Sequence, residues 1–468
     1  PRGRQGRALG SKPESSMMSA GTAALEMVPA RATAHAAPER TVLIVSPHFP
    51  PSTLAGVHRA RHLAKHLPAH GWRPIVIRVD DTYYTERADA ALAALVPASV
   101  QQIRCGAIPA SLARLAGIGD ISLRGYFPLR RAIAETVVAY RPHAILITGS
   151  PYYPMLLSPW IRQHMKMPVV LDFQDPWVSA EGAMHRTWTK AGLVHRLAVA
   201  LEPRAVRQAD FVTSVSARQN AEMALRYAWL DPRRMAAIPI GGDPDDFDAL
   251  RSGPPSELQV QFDPDRINLS YVGTFLPRAE HLVRTIFRAA RALKQTQPEL
   301  ASRIRLNFIG TSNQPDGTEA YRVRPIAEEE GVGDLVSETP QRVPYLEALY
   351  LLAMSHGLLL IGSDEPHYTA SKIYPALMSG RPYVSLFHRQ SSAHDILVGA
   401  GGGRTFCFDT PDHLATLVGP LAAALADLAA SPGQFGRADP AAYDAYTAHS
   451  VAGDFARVLD QVASSQPR

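Results

Sequence analysis

Thr41-Val-Leu-Ile-Val-Ser-Pro-His48-Phe-Pro-Pro-Ser-Thr-Leu-Ala-Gly56-Val-His-Arg59-Ala-Arg-His-Leu-Ala-Lys-His-Leu67 carries the chain from an apolar run into a helix. Val42 to Val45 is the short continuous apolar run that a strand covered on both faces needs, and the Pro-rich segment behind it continues as neither strand nor helix. Beyond Gly56, Ala60, Leu63, Ala64 and Leu67 recur at helical spacing, with Arg59, His62 and His66 on other faces. The unit is strand, glycine-containing loop, helix. Ligands of open α/β sheets bind outside the carboxyl ends of the strands, and a helix N-terminus favours an anion, so a phosphate can approach the backbone closely at Gly56. A glycine that only makes the turn fits the local spacing at least as well.

The same alternation runs outward from this unit. Arg73-Pro-Ile-Val-Ile-Arg-Val79, His143-Ala-Ile-Leu-Ile-Thr148, Pro168-Val-Val-Leu-Asp172, Ala209-Asp-Phe-Val-Thr-Ser-Val-Ser216 and the short run from Met235 read as strands, with helical patterns at 90–95 and 193–208 between them. A polar, Pro- and Gly-containing stretch at 248–265 marks a linker. The pattern then restarts with Ile267-Asn-Leu-Ser-Tyr-Val-Gly273, backed by the stripe Leu282, Ile286, Ala289, Ala290 and Leu293. Further strands follow at 304–310, 357–361, 382–387 and 405–408. Strands alternating with helices predict parallel sheets, and two such halves leave a cleft that suits two substrates. The expected domains are 40–247 and 266–435, followed by a tail, 436–468, holding a final helix from Tyr443 to Val462. Residues 1–39, rich in Arg, Ser, Ala and Gly and without an apolar stretch ahead of a cleavage site, are expected to form a disordered arm.

Composition narrows the partners. With 468 residues, 46% hydrophobic and 19% charged, the chain is an ordinary globular sequence long enough for two cores. A net charge of +5 with no dense Lys/Arg block argues against nucleic acid and favours phosphate-bearing small molecules or an anionic membrane surface. Cys105 and Cys407 give neither a disulfide framework nor metal-ligand spacing, which suits a reducing cytoplasm. No apolar run reaches the roughly 20 residues of a membrane span. From Leu112 to Leu129, apolar residues mix with Arg114 and Arg124; this is either a surface that rests on the inner membrane face or a solvated connection packed on the domain.

Two segments carry candidate chemistry. Asp172-Phe-Gln-Asp175-Pro-Trp177 puts two carboxylates at a strand end, where they can hydrogen-bond a substrate or act on its protons, although an Asp before Pro also begins turns. Ser363-Asp-Glu365-Pro-His367-Tyr-Thr-Ala-Ser371-Lys372-Ile-Tyr374-Pro375 lies between two strands; there hydroxyls and backbone N–H groups can bind phosphate and Lys372 can neutralise it, or Ser371 simply caps a helix.

In this order and spacing, the motifs resemble the GT-B glycosyltransferases, within them the family-4-like group of retaining enzymes. The resemblance covers about 41–455. It rests on the opening unit, Thr148-Gly-Ser-Pro151, Leu171 to Trp177, Glu202 to Asp210, Ile240-Gly-Gly-Asp-Pro-Asp-Asp-Phe247, Tyr271-Val-Gly-Thr274, Ser371-Lys-Ile-Tyr374 and Ser379-Gly-Arg-Pro382. It implies an α/β, GT-B fold of two Rossmann-like doubly wound domains facing across a cleft, the first holding the acceptor and the second a nucleotide-sugar donor. Donor contacts would come from Gly56, Gly273, Thr274, Arg278, Glu365, Ser371, Lys372 and Tyr374. Acceptor contacts would come from His48, Arg59, Asp172 and Asp175. Asp175 and Lys372 would be catalytic, Asp175 orienting the acceptor hydroxyl and Lys372 neutralising the departing nucleoside diphosphate. Neither a metal nor another cofactor is expected. The acceptor would be a sugar or lipid-linked compound of polysaccharide or glycolipid synthesis. The family's two Glu positions are occupied by His367 and Pro375, and its Arg and Lys after the second domain's first strand are missing in register, with Arg278 nearby. These departures leave a non-catalytic GT-B protein binding a nucleotide-sugar, glycan or protein partner as the alternative.

Overall fold

The computed structural model describes residues 40–115, 117–312, 321–365 and 371–464; the arm 1–39 and His367 lie outside them. Strands β1 (Arg40–Val45), β2 (Trp72–Val79), β3 (Gln101–Cys105), β4 (Ala144–Gly149), β5 (Val169–Phe173), β6 (Phe211–Ser214) and β7 (Met235–Ala237) form one parallel sheet in the order β3-β2-β1-β4-β5-β6-β7. A second parallel sheet, β10-β9-β8-β11-β12-β13, is built from β8 (Ile267–Val272), β9 (Ile304–Ile309), β10 (Val336–Thr339), β11 (Gly357–Ile361), β12 (Tyr383–His388) and β13 (Gly403–Phe408). The chain reverses its direction of travel beside the first strand of each sheet, at β1/β4 and β8/β11. Such switch points open crevices at the strands' carboxyl ends. The architecture is the doubly wound α/β pair expected of GT-B.

The apolar run of β1 is continuous because both its faces are covered. Leu43 and Val45 pack with Ile75, Ile77, Ile145 and Ile147 on one side of the sheet. Val42 and Ile44 pack with Ala60, Leu63 and Ala64 of helix α1 (Val57–His66) on the other. Each fully buried aliphatic side chain contributes about 1.5–3 kcal/mol. Helix α2 (Glu280–Thr296) does for β8 what α1 does for β1, burying Leu282, Ile286, Ala289, Ala290 and Leu293 beside Leu269, Tyr271 and Phe308. Helices α3 (Tyr345–Met354) and α4 (Ile373–Met378) border the cleft from the second half. The last helix, α5 (Ala448–Ser464), returns to the first half, where Val451, Phe455 and Leu459 join the α1 face of its core. It starts five residues after Tyr443 because Asp444–Tyr446 forms a separate turn.

Two edge strands, β3 and β10, have no counterpart in the sequence reading. Gln101-Gln-Ile-Arg-Cys105 and Val336-Ser-Glu-Thr339 are polar and half exposed, so neither offers an apolar run, and only pairing with β2 and β9 makes them strands. The connection 248–265 begins in the turn Pro244–Ser252 and is then strapped to the second half: the Gln259 and Val260 N–H groups donate to the buried Glu347 carboxylate at 2.7 and 2.9 Å.

Candidate active site

A cleft cavity of about 430 Å³ opens where the carboxyl ends of the two sheets face each other. The first half lines it with Thr53, Gly56, His58, His62, Asp89, Gln174 and Asp175; the second with Gly273, Thr274, Arg342, Tyr345, Ser371, Lys372 and Pro375. Gly56, Asp175, Gly273, Thr274, Ser371 and Lys372 are thus brought together from four separated stretches of sequence.

Gly56 caps α1 at the end of the Pro-rich loop. A side chain there would meet the Ser150 carbonyl at 3.0 Å, so the close approach of two loops requires glycine. Gln174 braces that contact, its amide donating to the Gly56 carbonyl (3.1 Å) and to Thr148 Oγ1 (2.8 Å). One residue on, Asp175 faces the cleft. Its carboxyl is open to the cleft yet walled by protein, and burial pushes it up to about 6.

Across the cleft, Lys372 reaches back over the end of β8. Its Nζ donates to Tyr271 Oη (2.5 Å) and the Thr274 carbonyl (3.1 Å) and lies 4.3 Å from the centre of the Tyr271 ring. Gly273 has φ +138°, and a Cβ there would stand 3.2 Å from Nζ, so glycine both permits the turn and admits the lysine. No carboxylate among the described residues pairs with Lys372, and burial pulls its ammonium down to about 7. An anion entering here would find a cation lacking a counter-charge.

A second cation went unnoticed in the sequence. Arg342 follows the polar edge strand β10, lines the cleft and forms no hydrogen bond or ion pair with any described residue. His58, two residues past Gly56, packs its ring 4.5 Å from Tyr345; burial, Arg61 and Arg342 hold its pKa well below the usual value. Asp89 and Tyr345 join the walls here. Asp89 accepts from the Tyr345 backbone N–H (3.0 Å), and the Tyr345 hydroxyl donates to Asp246 (2.8 Å), so the tip of α3 is pinned to the first half. Arg342 had no local signal, since a lone Arg in a loop resembles any solvated residue.

Six expected site residues lie elsewhere. Arg59 is fully buried, its guanidinium donating to the carbonyls of Ile238 (2.7 Å) and Pro239 (2.6 Å), 3.3 Å from Asp172 and over the Phe455 ring. Asp172, also fully buried, accepts from Thr148 Oγ1 (2.8 Å) and Thr213 Oγ1 (2.9 Å). This pair ties α1 to β4, β5 and β6 and touches no substrate space. His48 bonds Glu86 at 2.9 Å beside the cleft; burial would raise Glu86, but bonds from His48 and Ser52 outweigh it and hold it at about 2. Arg278 pairs outside the cleft lining with Asp364 (2.6 Å) and Glu365 (2.7 Å), which occupies Glu365 as well. Tyr374 is 2% exposed and stacks on Tyr446 at 5.6 Å. In each case the residue type suited a ligand, and a protein partner took its place.

Two His/Asp groupings, His62 with Asp243 and Asp246 and His66 with Asp243 and Asp245, have metal-like spacing. Arg61 already grips Asp246 through both oxygens (2.7 and 2.5 Å), and Lys65 bonds Asp243 (2.8 Å) and Asp245 (3.1 Å). Protein cations fill the place a metal would take.

Residues 55–241 match the glycosyl transferase 4-like domain family, which spans the opening helix, Gln174 and Asp175. HepE of Anabaena, solved with UDP and glucose, shares 15% identity, 90% of this chain and 100% of its own, with a TM-score of 0.54. A glycosyltransferase from Rickettsia africae shares 14% identity, 91% and 99%, with a TM-score of 0.53. Residues 55–241 are thus a glycosyl transferase 4-like domain in a chain of GT-B fold. A UDP-forming α,α-trehalose-phosphate synthase from Burkholderia vietnamiensis gives 15% identity, 93% and 100%, with a TM-score of 0.57. No curated protein is significantly similar in sequence to this chain. At these identities the solved structures establish the fold; the site must be argued from this chain's own residues.

Proposed function

We propose that the protein moves a sugar, with retention of anomeric configuration, from a nucleotide-sugar to an acceptor hydroxyl in polysaccharide or glycolipid synthesis at the cytoplasmic face of a membrane. The observation that carries this reading is the opposition of Lys372, above Gly273 and without a carboxylate partner among the described residues, to Asp175 and Gly56 across one cleft. As the glycosidic bond to the diphosphate breaks, negative charge grows on the leaving oxygen. Cations and dipoles fixed beforehand stabilise that charge most in the transition state. Lys372 supplies the positive charge, with Thr274 and Ser371 beside it and Arg342 on the same wall, so no metal is required. Asp175, with its carboxyl at about 6, is ionised at neutral pH yet basic enough to accept a hydrogen bond from the attacking hydroxyl and take its proton.

That HepE was solved with UDP and glucose supports a uridine donor here. Pro375 lines the cleft at the position where the resemblance places a ribose-binding Glu, and Arg342 and His58 are among the polar groups on the cleft walls that can meet the nucleoside. No described helix is long and apolar enough to cross a membrane, and any membrane contact is peripheral in this proposal. The test is a thermal-shift screen of the purified protein against UDP, GDP, ADP, dTDP and CMP with their common sugars, followed by transfer or hydrolysis assays with the ligand that binds. A selective shift with turnover supports glycosyl transfer. A shift without turnover from any donor would instead favour a nucleotide-sugar-binding protein that has lost catalysis.

A further inference from the structure

Large exposed apolar side chains are unevenly shared between the halves. Apart from Tyr321, Met354 and Val398, those among the described residues all precede Asp248. Two stretches hold most of them. In and after helix Ala110–Leu115, Leu112, Leu115 and Phe127 are 60%, 87% and 71% exposed. In and before helix Lys190–Arg207, Trp188 and Leu193 are 86% and 62% exposed.

Both stretches are basic. The first has Arg114, Arg130 and Arg131 against Asp120 and Glu135, the latter paired with Arg131 at 2.7 Å. The second has Arg186, Lys190 and Arg196, while the acid within 184–207, Glu202, is fully buried and bonded to Arg226 and Tyr227. The side chains of Arg114, Arg186, Lys190 and Arg196 form no hydrogen bond or ion pair with any described residue.

The two stretches share one side of the fold. Helices Ile121–Arg124 and Tyr126–Tyr140 from the first, and Lys190–Arg207 from the second, all pack on the turn Tyr153–Leu157 that follows β4. From that turn an aromatic ledge leads to the cleft: Trp177 stacks on Tyr152 at 5.4 Å and meets Tyr153 edge-on at 6.0 Å, two residues beyond Asp175.

Apolar tips left in water mark a contact surface, and long cationic side chains among them fit a layer with negative headgroups above acyl chains. Self-association would press two basic faces together and is opposed by their charge. We propose that this face seats the protein on an anionic lipid bilayer and that the acceptor is a lipid-linked hydroxyl compound reaching Asp175 along Trp177 and Tyr152. The acceptor half rests on the glycosyl-transfer reading; the bilayer half does not.

The full chain is floated with vesicles of phosphatidylcholine alone and of phosphatidylcholine mixed with phosphatidylglycerol. Binding to the mixed vesicles only, weakened by salt, is the expected result. Each interfacial cation is worth about fivefold in affinity, so Arg114→Glu with Arg196→Glu lowers binding by more than tenfold, as does Leu115→Glu with Phe127→Glu and Leu193→Glu. An unchanged melting temperature checks that these variants are folded. Absent or equal binding to the two vesicle types, variants as tight as the parent, or a dimer that the same variants dissolve would overturn the proposal. Bilayer binding without a nucleotide-induced thermal shift or turnover would leave the surface standing and remove the glycosyl-transfer reading. Transfer to a water-soluble acceptor unchanged by vesicles, with bilayer binding intact, would overturn the acceptor half alone.

Discussion

Cations buried in the first half of the protein are paired, whereas the second half presents Lys372 and Arg342 to the cleft with no carboxylate partner among the described residues. Arg59 and Arg61 are fully buried in α1 and engage backbone carbonyls, Asp172 and Asp246. Lys372 has only neutral oxygen partners, and Arg342 has none among the described residues. Lys372 is half-buried and carries a desolvation penalty that persists only where the rest of the fold enforces it, whereas Arg342 is exposed to the cleft and carries less. Paired buried cations therefore build the fold, and unpaired ones await an anion. The same contrast separates Asp172, saturated by two hydroxyls and Arg59, from Asp175 three residues later.

The strongest attack on this contrast is Arg61→Ala. It strands Asp246 in the interior, so unfolding free energy should fall by about 3–5 kcal/mol, read from urea denaturation. If nucleotide-induced stabilisation of the remaining folded protein also vanished, Arg61 would belong with the binding cations and the contrast would fail. Lys372→Ala should reverse the pattern: little loss of stability, with kcat/KM down by about 10²–10³-fold. Asp175→Asn should lower kcat by about 10²-fold or more at unchanged donor affinity; weaker donor binding would move it from the acceptor side to the donor side.

The pH profile sharpens the same pair. Asp175 must be ionised to accept a proton, so kcat/KM should rise as pH increases through about 6. Lys372 must be protonated to hold the diphosphate, so the free enzyme loses this interaction as pH rises through about 7. A narrow bell results, and in Lys372→Arg its alkaline limb should disappear, because guanidinium remains charged. Arg342→Ala should weaken the nucleotide by about tenfold in a titration, the range of one charged hydrogen bond. Smallest of all is Arg278→Ala: its partners Asp364 and Glu365 are part exposed, and surface pairs contribute under about 1 kcal/mol, so donor affinity should not change.

Much of the fold was legible in the sequence. The central strands β1, β4, β5, β8 and β11 announce themselves because doubly covered strands must be apolar throughout, and the stripes of α1 and α2 because each buries one face. The edge strands β3 and β10 were hidden because half-exposed strands need no such run. The candidate site was legible only in part. Gly56, Gly273 and Lys372 were marked by their places at strand ends and helix starts, as was Asp175. Arg59, Asp172, Arg278, Glu365 and Tyr374 had equally suitable chemistry, and nothing local reveals that a carbonyl, a hydroxyl, an opposite charge or a neighbouring ring will claim the side chain first.

The sequence by itself thus determined the parallel sheets, the two-part organisation and the strand ends at which chemistry could occur, since periodicity and turn residues act over a few positions. Tertiary structure alone decided which charges stay unpaired. It placed Arg342 near His58, matched Asp246 with Arg61 and Tyr345, and left Lys372 above Gly273 with no carboxylate among the described residues. Pairing depends on distances between residues hundreds of positions apart, and those distances exist only after the two sheets have packed.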